Sequence, residues 1–225
     1  LKNLYKKIEP SPKQVNNTQT EQQFVEPKQA TPEPKTLPAE FSLKVPFTPQ
    51  APTANWDKLH DEACEEASAI MAWAYFNNIA SLPANKVETE ITKLTDWQQE
   101  NFGYFYSITT EETAQMIEDV YGLKTEIVDI SEERIKLALH ENKLVILPAN
   151  GQLLGNPNFK PPGPLYHMLV ITGWDETNFI TNDPGTRRGF NYEYSYDTLY
   201  ESAGNWSHDL GEVDLTKKQI IIVSK

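Results

Sequence analysis

Helix-type periodicity occupies one stretch of this chain and strand-type runs the next, and that order limits the architectures open to it. From Ala67 onward, Ile70, Met71, Ala74 and Tyr75 recur at three- and four-residue steps, the period of a helix with one face in a core, in an alanine-rich segment that opens near Cys64. Asn85 with Glu88 three residues on reads as a capping pair for a second helix with the stripe Val87, Ile91, Leu94 and Trp97. Thr109 with Glu112 repeats the device, Ile117, Val120 and Tyr121 supply an apolar face, and Gly122 is placed to end that helix. Thr125 to Ile130 then reads as a strand, Ser131 to His140 as a short helix and Leu144 to Ala149 as a buried strand. A long loop from Gly151 to Tyr166, with three glycines and four prolines, leads into the apolar run His167 to Trp174. A turn at Asp175 to Thr177 makes a hairpin with the segment Phe179 to Gly185, and Gln219 to Ser224 supplies a last strand. The expected fold class is α+β, a helical half packed against a mainly antiparallel sheet.

Only part of the chain has the composition for such a core. Residues 1–40 hold six prolines, six lysines and five glutamates, with no glycine or tryptophan. Such a segment buries too little apolar surface to offset its chain entropy and reads as a disordered, semi-rigid stalk or linker, which leaves 41–225 for one domain. The first residue is Leu1, and the expectation is an extracytoplasmic domain, secreted or envelope-anchored through an N-terminal segment lying upstream, with a disordered tail on a cytoplasmic protein as the alternative. The charge is +1 over residues 1–40 and −13 over the remainder, which carries 14 basic and 27 acidic residues. A surface that acidic repels phosphate backbones and argues against a nucleic-acid partner. With one cysteine and four scattered histidines, neither an intramolecular disulfide nor a cysteine-built zinc site is available, and no cofactor is expected. Two glycosylation sequons, Asn16-Asn17-Thr18 and Asn205-Trp206-Ser207, would matter only in a glycosylating secretory system.

The chemistry-bearing residues fall on opposite sides of this layout. A thiol at the start of a helix meets unpaired amides and the positive end of the dipole, which favour thiolate, so Cys64 is a candidate nucleophile. His167 opens the first strand of the hairpin and Asp183 ends the second, roughly opposite, so that the carboxylate can orient the imidazole. Asn182 competes for that role, but successive strand residues point to opposite faces and Asp183 is preferred. Upstream, Gln50 in Val45-Pro46-Phe47-Thr48-Pro49-Gln50 is the candidate donor to a developing oxyanion.

These segments, with Cys64-Glu65-Glu66-Ala67-Ser68, Tyr166-His167-Met168-Leu169-Val170-Ile171-Thr172-Gly173-Trp174-Asp175 and Asn182-Asp183-Pro184-Gly185, resemble the papain-like bacterial cysteine peptidases related to the double-glycine, bacteriocin-processing peptidases, family thirty-nine and its "like" subfamily. The resemblance spans about 45 to 225. It implies a papain-like fold with Cys64 as nucleophile, His167 as general base and acid, Asp183 as orienting residue and Gln50 as oxyanion donor. Relatives commonly follow the cysteine with glycine-proline or a tryptophan; here Glu65 and Glu66 follow, expected to point to solvent while His167 governs the thiol. The expected function is hydrolysis of a peptide or amide bond in a peptide or protein, such as a cell-wall peptide. Other acyl transfer on the same site (amidase or transglutaminase-like), an inactive papain-like binding module of the envelope, and an adhesion or scaffold domain are the alternatives.

Overall fold

The protein is described by a computed structural model over residues 37–225. In chain order its elements are β1 (Phe41–Ser42), α1 (Lys58–Asp61), α2 (Cys64–Phe76), α3 (Ala84–Asn101), α4 (Thr110–Tyr121), β2 (Lys124–Asp129), α5 (Glu132–His140), β3 (Leu144–Ala149), β4 (His167–Trp174), β5 (Asn178–Asn182), β6 (Tyr192–Ser195), α6 (Tyr196–Ser202), β7 (Asn205–Ser207), β8 (Glu212–Asp214) and β9 (Gln219–Ser224). Of the stalk assigned to residues 1–40, residues 1–36 lie outside the described part. Residues just after them already belong to the packed unit: Leu37 lies against its core and the Pro38 carbonyl accepts from the Trp174 indole at 3.2 Å.

The main sheet is antiparallel throughout, in the order β2-β9-β3-β4-β5-β6, with β1 added to the far end of β4. Its two faces close two cores. Met168 and Val170 face a cluster with Ile70, Met71 and Ile91 of the first helices, whereas Leu169 and Ile171 face one with Ile135 and Leu139 of α5. A strand covered on both faces needs apolar side chains at every position, which is why β3 and β4 read as unbroken runs and are buried throughout. The α+β expectation holds, with the refinement that α5 covers the face opposite α2, α3 and α4.

Local signals held where the partners were local. Thr109 and Glu112 form the reciprocal capping box of α4, and Gly122 ends that helix at φ 65°. Asn85 does not cap α3: Pro83 occupies the cap position in extended conformation, Asn85 lies inside the helix, and Glu88 is drawn away by Thr53 and His60. The short α1, α6, β6 and the β7–β8 hairpin have too few residues to show a period.

The β4–β5 hairpin carries a register shift between Ile171 and Gly173. Its last pair on the far side is Val170 with Asn182, so Asp183 comes level with Leu169 and not His167. The expected face-to-face placement of His167 and Asp183 becomes a diagonal one, still within reach of side chains this long.

Candidate active site

Cys64 is the first residue of α2, after Ala63, which offers no side-chain cap. The thiol is buried and donates to Glu65 Oε2 at 2.9 Å, while Glu65 Oε1 accepts from the Ile108 amide at 3.2 Å. Burial pushes the thiol pKa well above its ordinary value; the charges of Glu65 and Glu66 and the Glu65 hydrogen bond raise it further, and the Met168 amide facing the sulfur opposes them. That amide belongs to the residue after His167, which fixes the thiol beside the start of β4. The expectation that Glu65 and Glu66 point to solvent is overturned, since both are buried, 2 % and 1 % exposed. The reason is that α2 is enclosed on nearly all sides, so its first turn has no wet face. Nor does His167 govern the thiol in this arrangement, because the thiol proton is directed at Glu65.

Burial leaves the acid pair reluctant to ionise. The Glu65 carboxyl stands well above the usual range through burial and the neighbouring Glu66 charge. Glu66 is raised to about 7 by burial, against a hydrogen bond from Gln98 Nε2, which also meets Met116 Sδ at 3.0 Å. Replacing Glu65 by glutamine is expected to raise the rate of iodoacetamide alkylation of Cys64 on the alkaline side, where glutamine cannot add the negative charge that an ionised Glu65 would place next to the forming thiolate. An unchanged or slower rate would show that Glu65 does not hold the thiol down.

His167 and Asp183 are in direct contact. His167 Nε2 lies 2.7 Å from Asp183 Oδ1, both side chains buried, which leaves Nδ1 as the ring nitrogen for proton transfer. Asp183 is held on every side: Oδ1 also accepts from the Gly185 amide at 2.9 Å, and Oδ2 accepts from Tyr194 Oη at 2.6 Å and Asn156 Nδ2 at 3.2 Å. Burial alone would raise its pKa, but the His167 charge and the hydrogen bonds from His167, Tyr194 and Gly185 outweigh it, and the carboxyl lies below its usual range. A side chain at Gly185 would come within 2.9 Å of His167 Cε1, so only glycine lets this turn close against the ring. Asn182 faces elsewhere, its amide donating to the Val45 carbonyl at 3.2 Å and its oxygen accepting from the Asn191 amide.

Gln50 is positioned differently from its expected role. Its Nε2 donates to the carbonyls of His60 at 2.8 Å and Asp61 at 3.1 Å, which commits both protons to the segment leading into Cys64. Its Oε1 is buried without a partner.

A cleft of about 1100 Å³ opens beside Gln50, Tyr166 and Gly185, chain neighbours of the buried set, while Cys64, His167 and Asp183 themselves do not line it. Its lining comprises Gln50, Trp56, Asp61, Glu62 and Ser107 from the first part of the domain, and Pro157 to Tyr166, Gly185 to Arg188 and Trp206 from the second. The first contribution is therefore acidic at Asp61 and Glu62 and the second basic at Lys160, Arg187 and Arg188. The loop expected between β3 and β4 thus lines the cleft. Among residues the sequence did not single out, Tyr194 and Asn156 complete the Asp183 cradle, and Tyr166 keeps a buried hydroxyl facing the Trp206 backbone, whose ionisation burial and the charges of Glu65 and Cys64 oppose. Their signal is tertiary and leaves no spacing to read. Asn205 cannot accept a glycan, because it is buried and joins the Thr110 amide to Glu111; Asn16 lies outside the described residues. Among the described residues, no group of three or more His, Cys, Asp and Glu side chains could hold a metal ion.

A sequence profile described as the Peptidase_C39 like family matches residues 42–211. The chain belongs to that family. The C39-like assignment agrees with the fold: the crystal structure of a protein assigned as a C39-like peptidase from Bacillus anthracis superposes at a TM-score of 0.54, covering 83 % of this chain and 98 % of that one at 15 % identity. The fold is papain-like, as the resemblance implied. No curated protein matches the C39-like chain.

Proposed function

We propose that this C39-like chain is a cysteine peptidase that hydrolyses peptide or amide bonds at Cys64, with His167 as base and acid and Asp183 as its orienting partner. The observation that carries this reading is the buried 2.7 Å contact between His167 Nε2 and Asp183 Oδ1, next to Tyr166 and Gly185 of a peptide-sized cleft, with a helix-opening thiol beside the same strand. Asp183 fixes the ring through Nε2, and Nδ1 is the nitrogen that takes the thiol proton. The thiolate attacks the carbonyl, His167 protonates the leaving amine, and water releases the acyl-enzyme. The first-turn amides of α2 are the ready donors to the oxyanion. Gln50 joins them only by giving up the His60 or Asp61 carbonyl.

A second reading, a binding module without catalysis, is favoured by the thiol bond to Glu65. A thiol-directed activity probe separates the two: labelling of the native chain at pH 7, absent in Cys64→Ala, supports the peptidase, and an unlabelled native chain supports the binding module. Whether water or an added amine accepts the acyl group separates hydrolysis from transglutaminase-like transfer. The Pro-, Gln- and Lys-rich residues 1–40 favour an envelope-tethered enzyme acting on a peptide substrate such as a cell-wall peptide, a placement that cell fractionation of the native protein tests.

A further inference from the structure

The segment bearing Gln50, Trp56, Asp61 and Glu62 of the cleft lining is held by several bonds, Thr53 to Glu88 and the Gln50 amide to the Pro184 carbonyl among them, and the most buried of its tethering side chains lies outside the catalytic set. His60, 6 % exposed, places Nδ1 2.8 Å from Asp57 Oδ1 and Nε2 2.8 Å from Glu88 Oε2 of α3. A neutral imidazole carries one ring proton and can donate to one of these oxygens; the other nitrogen would then face a carboxylate lone pair with a lone pair of its own. Only the doubly protonated ring satisfies both. Neither oxygen pair is free to turn away. Asp57 accepts from the Leu59 and His60 amides and from Asn55, and Glu88 Oε1 accepts from Thr53 Oγ1 at 2.7 Å. The same residue's carbonyl receives Gln50 Nε2, so the ring and backbone of His60 join α3, the cleft lining and the segment entering Cys64.

We propose that His60 is a positioning residue, an imidazolium that pins the 50–62 segment beside the cleft to α3, and that loss of its proton loosens this segment. Asp57 from its own turn and Glu88 from α3 are the charged groups that face the ring. Burial of the ring opposes its charge, but the hydrogen bonds and charges of the two carboxylates outweigh that, and the pKa is raised above 6.5. The sign follows from linkage: the clamp is whole below 6.5 and is lost as pH rises through the raised value. Its consequence for substrate rests on the peptidase reading, but the clamp can be measured without any substrate.

The test uses the full chain with nitrogen-15 histidine and amide labelling. Both His60 ring nitrogens are expected to be protonated at pH 6, and amide protection across 50–62 to fall by about tenfold through the His60 transition, as loss of a charge-assisted hydrogen bond implies, while β3 and β4 stay protected. Glu88→Gln, which leaves one carboxylate on the ring, should move both changes together to lower pH. His60→Phe should lack the transition and show low protection at every pH; if it does not fold, Glu88→Gln carries the test. A neutral ring at pH 6, or protection across 50–62 indifferent to the His60 transition, would overturn the proposal, and neither outcome depends on whether Cys64 is catalytic.

Discussion

Replacing Asp183 with alanine is expected to lower the unfolding free energy by about 3–5 kcal/mol and to abolish turnover. The size follows from what the carboxylate satisfies. Its removal strands the His167 ring N–H, the Tyr194 hydroxyl, one Asn156 N–H and the Gly185 amide, all around a site with no solvent exposure. Asp183→Asn has nearly the same shape and separates the two consequences. It should unfold closer to the native chain but lose up to about 10⁴-fold in turnover, because an amide neither stabilises an imidazolium nor enforces the Nδ1-facing tautomer. Urea unfolding of both variants at pH 7, with turnover of a fluorogenic peptide, checks this. Full activity in Asp183→Asn would remove Asp183 from the mechanism. The pH signature is also fixed: with its folded pKa lowered, Asp183 contributes stability above its ordinary 3.8, lost as pH falls through the folded value, and Asp183→Ala should lack that acid limb.

The parts of this architecture that could be read from sequence depend on neighbours in the chain, and those that could not depend on distant partners. The capping box at Thr109 and Glu112 spans three residues and is present as expected. The same spacing at Asn85 and Glu88 failed because Glu88 is held by His60, 28 residues away, and by Thr53. Apolar runs located β3 and β4, and with them His167 at the mouth of the hairpin. The register shift at Ile171 to Gly173 left no mark in composition, and it moves Asp183 from a place opposite Val170 to one opposite Leu169, so the diagonal meeting with His167 emerged only in three dimensions. Alternation along a strand separated Asp183 from Asn182, a purely local rule. The environment of Cys64 shows the limit most clearly. A helical stripe implies a wet face for adjacent carboxylates, but α2 lies between the sheet, α3 and α4, and its glutamates go inside with the thiol.

That burial makes Glu66 the source of a second large effect. Glu66→Gln is expected to stabilise the chain by up to ~3 kcal/mol at pH 8.5 and by almost nothing at pH 4. Its folded pKa, about 7, exceeds the ordinary 4.5 because burial penalises the charge more than the Gln98 hydrogen bond relieves it. A group raised in this way contributes stability fully present below 4.5 and lost as pH rises through about 7, so the native chain should weaken on the alkaline side. Glutamine keeps the shape and cannot ionise, so the variant should not show that loss. The unpartnered oxygens Glu66 Oε2 and Gln98 Oε1 fit a carboxyl that is neutral at low pH, since an ionised one leaves an acceptor with no donor in a dry site. Urea midpoints of both chains across pH 4 to 9 measure the effect. Parallel curves would mean that Glu66 ionises without penalty, through water entering α2. Curves that diverge above pH 7 would mean that the buried acid pair titrates in the range where His167 must draw a proton from Cys64. The glutamates after the cysteine would then set the upper pH limit of the folded site as well as the reactivity of its thiol.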